Sequence, residues 1–297
     1  MSSTHIDPAG FATAKRLLAE RGIRPRRRWG QNFLCNRQTL ERIADAAEID
    51  PSDHVLEIGP GLGGLTQSLA KRARHVTAVE IDPEMVTILR KTLAGIDHVQ
   101  IVQGDFLQVF DGELAEKTFG DVPGVVAANV PYYITSPIID RLLQHRDRIR
   151  TIVLLTQTEF AERMAAPVGS DKGGLLSVGV QLAARVETLF TVPPAQFLPS
   201  PDVTSTVVRL QILDPPPIPA ECAAEVYAVA KALYAQRRKT ASNTLAAGGF
   251  CSHKEDARAL LERAGVNPDA RGETFTLQQL LRIAAAMPDS ACSTHNG

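Results

Sequence analysis

The chain has 297 residues, a hydrophobic fraction of 44%, a charged fraction of 22% and a formal net charge of -1. That length and apolar share support one large α/β domain plus a small one and exclude global disorder. No apolar run approaches the ~18 residues that span a membrane, and no signal-peptide apolar region follows Met1, so a cytoplasmic protein is expected.

In chain order, residues 1–24 read as a mobile basic arm, and Lys15, Arg16, Arg21, Arg24, Arg26, Arg27 and Arg28 crowd this end. Gln38–Ala47 has helical spacing. His54–Ile58 reads as a strand that runs into Gly59-Pro60-Gly61-Leu62-Gly63-Gly64, with a helix from Leu65 to Arg72 and a strand Val76–Val79 ending in Glu80. Strand, glycine turn, helix, strand and terminal acid make a βαβ nucleotide-binding unit, in which the acid can bind ribose hydroxyls. Gly59, Gly61 and Gly64 formally match the dinucleotide fingerprint, so a dehydrogenase has to be weighed. Glu57 argues against it, because an anion before the first glycine disfavours a pyrophosphate and suits a cation. Asp105 and Phe106 follow the apolar pair Ile101-Val102. Asp105 is placed for an adenine amino group, the Phe106 N–H for a ring nitrogen, and Ile81 for the adenine face. The rim of Glu57, Glu80 and Asp105, with Gly59 and Gly61 allowing close approach, fits the phosphate-free cation S-adenosylmethionine.

Gly124–Ala128 reads as a buried strand, followed by Asn129-Val130-Pro131-Tyr132. Open α/β sheets bind ligands beyond the carboxyl ends of their strands. An exocyclic amine on a planar base has two N–H donors and a lone pair delocalised into the ring. The Asn129 side-chain oxygen can accept one N–H and the Pro131 carbonyl the other, while Tyr132 offers a stacking face. A nitrogen so held is ready to attack a methyl group.

Ser136–Gln144 and Ser177–Ala184 read as helices, and Thr151–Leu155, Val186–Phe190 and Thr206–Leu213 as strands. Asp214-Pro215-Pro216-Pro217-Ile218-Pro219 is a linker, since consecutive prolines continue neither a helix nor a central strand. Helical patterns follow at Glu221–Tyr234, Lys239–Leu245, Lys254–Ala264 and Thr276–Met287, and residues 289–297 read as a disordered tail. The domains are thus 25–213 for methyl transfer and 220–288 for a helical domain. Cys35, Cys222, Cys251 and Cys292 are scattered without a C-x-x-C pair or a His cluster, so reduced thiols and no metal site are expected.

Seven segments in order carry a resemblance: Arg28-Trp29-Gly30-Gln31-Asn32-Phe33-Leu34, Glu57–Gly61, Val79–Asp82, Gly104-Asp105, Asn129–Tyr132, Phe197-Leu198-Pro199 and Gln236-Arg237-Arg238-Lys239-Thr240. The chain closely resembles the ribosomal RNA adenine N6,N6-dimethyltransferases that act on small-subunit rRNA. The resemblance implies a Rossmann-like class I methyltransferase sheet of seven strands, one antiparallel, with a small all-α C-terminal domain. It implies cofactor contacts at Gln31, Asn32, Leu34, Gly59, Glu80, Asp105 and Asn129, and target-base roles for Asn129, Pro131 and Tyr132. Phe197 is a candidate cover for the base's second face. Arg26, Arg27, Arg28, Arg237, Arg238 and Lys239 are candidate RNA contacts. The implied partner is small-subunit rRNA in a pre-30S particle, met by a monomer. Trp29 departs from a usual Phe, Val130 from Leu, Thr158 and Asp202 from Lys, and Ser200 from Pro, so two phosphate contacts are lost near residues 158 and 202. Competing readings are a large-subunit rRNA adenine methyltransferase of the antibiotic-resistance type, a DNA adenine methyltransferase and a ribosome-assembly checkpoint factor that only binds.

Overall fold

The computed structural model describes residues 6–23, 31–131, 134–216, 218–236, 238–288 and 290–292. The strands among the described residues are β1 (Phe33–Leu34), β2 (His54–Ile58), β3 (His75–Glu80), β4 (Val99–Gln103), β5 (Gly124–Asn129), β6 (Ile149–Gln157), β7 (Ala184–Val192), β8 (Phe197–Leu198) and β9 (Ser205–Ile212). The helices are α1 (Phe11–Ala19), α2 (Arg37–Ala46), α3 (Gly64–Ala70), α4 (Pro83–Thr92), α5 (Phe106–Val109), α6 (Gly112–Phe119), α7 (Thr135–Gln144), α8 (Thr158–Ala165), α9 (Leu175–Gln181), α10 (Ala220–Tyr234), α11 (Ala241–Ala247), α12 (Lys254–Arg263) and α13 (Leu277–Ala285).

The chain forms two compact units. One contains the chain up to Ala161 with Val186–Ile212; the other contains Glu162–Arg185 and the chain from Leu213 onward. The segment 162–185, assigned from sequence to the methyl-transfer domain, therefore groups with the C-terminal helices.

In the first unit a seven-stranded sheet runs β4-β3-β2-β5-β6-β9-β7. β2, β3, β4, β5 and β6 pair in parallel, and β9 lies antiparallel to β6. The order reverses between β2 and β5, whose carboxyl ends carry Ile58 and Asn129. That switch point opens the crevice that open α/β sheets use for ligands. The central strands are buried on both faces, as their unbroken Val, Ile, Leu and Ala runs require. Val55, Leu56, Val76, Ala78, Val125, Ala127, Ile152 and Val153 are all fully inaccessible. Helix starts follow local chemistry: Asp82 caps α4 with Pro83 at its first turn, and Asp111 caps α6.

Three expectations are corrected. Residues 6–23 are not a loose arm: α1 buries Ala14, Leu17 and Leu18 against Phe33, Leu62, Met85 and Ile88. An i, i+3, i+4 apolar stripe drives that docking. Asp7 adds an ion pair to Arg37, and the Gln67 side chain donates to the Ile6 carbonyl at 2.8 Å. In the second unit residues 290–292 are tied down, with the Ala291 N–H and the Ser290 hydroxyl both on Glu225. Cys222 and Cys292 are joined as a disulfide rather than reduced, because the docked tail brings their Cα atoms to 4.8 Å. Around them α10 to α13 share an apolar core built from Val226, Val229, Leu233, Leu245, Leu261, Leu280 and Ile283.

Candidate active site

The glycine turn after β2 is shaped by left-handed backbone: φ is 70° at Gly59, 56° at Gly61 and 87° at Gly63. Only glycine takes such angles freely. At Gly61 a side chain would also meet the Phe33 ring at 3.0 Å. The turn is closed by the Gly59 N–H on the Val79 carbonyl (3.0 Å). Glu80 ends β3 and binds both flanks: Oε2 accepts the Gly61 N–H at 3.1 Å and Oε1 accepts the Asp82 N–H at 2.9 Å. A carboxylate has about four lone-pair sites, so Glu80 keeps acceptor capacity for ribose hydroxyls.

One cavity takes in the whole set of cofactor candidates. Its wall includes Gln31, Asn32 and Leu34 from the segment at β1, and Glu57, Gly59 and Gly61 from β2 and its turn. Glu80 and Ile81 after β3, Asp105 and Phe106 after β4, and Asn129 and Pro131 at the end of β5 complete it. Ile81 is 45% exposed, unusual for an isoleucine and suited to covering a flat base. Asp105 caps α5 through Oδ1, which accepts the Leu107 N–H at 3.0 Å. Phe106 is buried and stacks on Phe110, with ring centroids 4.8 Å apart. The sequence reading missed Pro8, Phe33, Leu107 and Ile134 as wall residues. Phe33 stood inside a quoted motif, whereas Pro8 carried no signal.

Electrostatics select the ligand. Glu57 is 1% exposed, and its carboxyl lies beside the buried Thr66 hydroxyl. Burial pushes the Glu57 carboxyl up to about 8; the Glu80 carboxylate adds to the rise and the Thr66 hydroxyl dipole opposes it. Burial also pushes Glu80 up, against the backbone N–H groups of Asp82 and Gly61. No Lys, Arg or His among the described residues lines the cavity. A pyrophosphate would meet two buried acids and no cation. A phosphate-free cationic nucleoside suits both acids, because its charge favours their ionised forms.

Asn129 is the last residue of β5 rather than the first beyond it. Its Nδ2 donates to the Asn32 carbonyl at 3.4 Å, across 97 residues of sequence. The Pro131 carbonyl, expected to accept the second N–H of the target amine, already accepts the Ile134 N–H (3.2 Å) and the Thr135 hydroxyl (3.4 Å). Those two bonds use its two lone pairs. Phe197 is corrected too: it is 3% exposed, packs with Leu34, Val192 and Val207, and is absent from the cavity wall. It is a core aromatic within the β1–β8 pair, opposite Leu34.

Tyr132, Arg26, Arg27, Arg28, Trp29 and Arg237 lie outside the described residues. Arg238 and Lys239 are exposed in the second unit, between α10 and α11. The departures near residues 158 and 202 are absorbed locally. The Thr158 hydroxyl bonds the Thr204 carbonyl (3.0 Å) and the Thr206 hydroxyl (2.9 Å), and the Ser200 hydroxyl bonds the Pro194 carbonyl (3.0 Å).

A seven-stranded sheet with an antiparallel penultimate position, an acid-lined pocket at its switch point and an asparagine beside it define an S-adenosylmethionine-dependent methyltransferase. The profile of the ribosomal RNA adenine dimethylase family matches residues 22–288. The chain belongs to that family. It is 42% identical over 276 residues to a ribosomal RNA small subunit methyltransferase A from Moorella thermoacetica, covering 91% of this chain and 95% of the relative. Among solved structures it resembles a dimethyladenosine transferase from Plasmodium falciparum (27% identity, TM-score 0.71, 84% of this chain and 94% of that one). It also resembles the 23S rRNA methyltransferase ErmE (30% identity, TM-score 0.68, 86% and 99%). The alternative of a nicotinamide-dependent dehydrogenase falls away.

Proposed function

We propose that the chain dimethylates N6 of two adjacent adenines in small-subunit rRNA, acting as a cytoplasmic monomer on a pre-30S particle during ribosome assembly. The observation that carries this reading is the Asn129 amide, held through Nδ2 on the Asn32 carbonyl beside the acid-lined pocket. Held that way, Oδ1 is the end left to accept an N–H from an adenine amine. The second acceptor falls to the carbonyl of the neighbouring lining residue Val130, because the Pro131 carbonyl already accepts the Ile134 N–H and the Thr135 hydroxyl.

S-adenosylmethionine supplies a methyl group made electrophilic by its sulfonium. Two hydrogen bonds to the amine draw its lone pair out of conjugation and aim it at that carbon. The N–C bond forms as the C–S bond breaks, and N6 then loses a proton to solvent. No strong base is required, since the nitrogen becomes acidic only after alkylation. Orientation supplies most of the rate. The base has to leave its stack at a cost of a few kcal/mol. Stacking on Tyr132 returns about 1–3 kcal/mol.

A large-subunit target is the second reading, favoured by the likeness to ErmE. The name of the Moorella relative, with its coverage of both units, supports the small subunit instead. Undermethylated small and large subunits, each incubated with methyl-labelled cofactor and digested to nucleosides, test the choice. Label in N6,N6-dimethyladenosine from the small subunit alone supports the proposal. Label from the large subunit alone refutes it.

A further inference from the structure

The segment from Gln31 to Cys35 is held at both ends. At the near end Gln31 Nε2 donates to Asp82 Oδ2 at 2.8 Å. Asp82 is itself immobilised: it is fully buried, its Oδ1 accepts the Glu84 N–H at 3.0 Å, and its own N–H is on Glu80 at 2.9 Å. At the far end Phe33 pairs with Leu198 and Leu34 with Phe197, and the Cys35 N–H donates to the Gln196 carbonyl at 2.7 Å. Between these anchors stands the Asn32 carbonyl that receives Asn129 Nδ2. The Phe33 ring sits against Gly61 on the same stretch.

An asparagine amide is nearly symmetrical in shape, and its hydrogen-bond partners decide which end faces a ligand. If the Asn32 carbonyl moved, Asn129 could turn its NH2 toward the substrate. Two donors would then face each other, and the amine would lose its acceptor.

We propose that Gln31 is a positioning residue for methyl transfer: anchored on Asp82, it fixes the Asn32 carbonyl and so keeps the Asn129 oxygen toward the target amine. The proposal rests on the adenine reading above. Gln31 acts on rate through Asn129 rather than by touching the base. The same chain of contacts reaches Glu80 through the Asp82 N–H, so the ribose-binding acid and the catalytic amide share one support. The second methyl transfer depends on it most, because a mono-methylated amine has a single N–H to offer.

The test is an exchange of hydrogen-bonding partners. Gln31→Glu places two carboxylates face to face. Gln31→Glu combined with Asp82→Asn restores a bond of reversed polarity, while the asparagine oxygen still caps α4. Single-turnover rates at saturating cofactor, cofactor Kd by calorimetry, and the ratio of mono- to dimethylated adenine are read for each. The single variant is expected to slow transfer ~10- to 100-fold, a range set by small misplacements of reacting groups. It should do so even at saturating cofactor and with accumulation of the mono-methyl product, over and above any rise in Kd from the support that Asp82 shares with Glu80. The double variant is expected to recover rate and product ratio together. An unimpaired single variant, a loss that saturating cofactor repairs, or a double variant as slow as the single one would each overturn the proposal. Asn129→Ala run in parallel separates the two claims. If it stays fully active the adenine reading fails; if it is inactive beside an unimpaired Gln31→Glu, only the anchor fails.

Discussion

Asn129 Nδ2 and the Asn32 carbonyl oxygen stand 3.4 Å apart, joining the end of a central strand to the segment that opens the cavity. The contact polarises the choice of amide orientation, since a donor committed to the protein leaves an acceptor for the substrate. Asn129→Ala removes that acceptor. Methyl transfer is expected to fall by about 10²-fold or more, as for other losses of alignment. Cofactor binding by calorimetry should remain measurable, because Glu80, Asp105 and the glycine turn are untouched.

Glu80→Ala should act on binding instead. It deletes the acceptor for ribose hydroxyls and also frees the N–H groups of Gly61 and Asp82. Hydrogen bonds to a charged group are worth about 1.5–3 kcal/mol each, so cofactor Kd should rise by ~10-fold to well over 100-fold. An unchanged Kd would count against the ribose assignment.

Glu57 makes the ligand-free protein sensitive to alkali. Its folded value of about 8 lies above the ordinary 4.5, so between those values the folded state keeps a proton that the unfolded state has lost. Stability from this group is therefore fully present at low pH and declines as pH rises through that window. Thermal unfolding of the first unit should occur at a lower temperature near about pH 9 than near about pH 5, and Glu57→Gln should flatten the difference. A cationic ligand favours the carboxylate, so cofactor affinity should rise over the same window and the variant should lose that rise.

Leu17→Ala tests whether the amino-terminal helix belongs to the fold. Leu17 is 2% exposed and packs with Phe33, Leu62 and Met85. Truncating a buried leucine typically costs about 2–5 kcal/mol. Urea unfolding should report a loss in that range, whereas a dispensable arm would give none.

Gly61→Ala joins two penalties, a φ of 56° and the nearby Phe33 ring at 3.0 Å. The left-handed backbone alone costs roughly 1–2 kcal/mol for a residue with a Cβ. The variant should bind cofactor more weakly in equilibrium titrations than wild type, with the sheet's circular dichroism intact.

The central strands, the glycine turn and the acids at the strand ends were legible because each rests on local patterns: unbroken apolar runs, left-handed glycines, a carboxylate after Val79. The α1 helix was hidden by Lys15, Arg16, Glu20 and Arg21, whose charges obscured the stripe of Ala14, Leu17 and Leu18. β1 and β8 have two residues each, too short to display a period of two, so the inward turn of Phe197 could not be read. The Asn32–Asn129 contact spans 97 positions and depends on topology rather than on neighbours in sequence. The commitment of the Pro131 carbonyl depends on where the Ile134 N–H and the Thr135 hydroxyl fall, which no residue type announces.

The most direct measurement is a crystal structure with an unreactive S-adenosylmethionine analogue and adenosine bound together. The account predicts Asn129 Oδ1 within hydrogen-bonding distance of the adenine amine, with that nitrogen in line with the carbon and sulfur of the analogue. An amide presenting Nδ2 to the base, or an amine on the far side of the cavity from the sulfur, would contradict it.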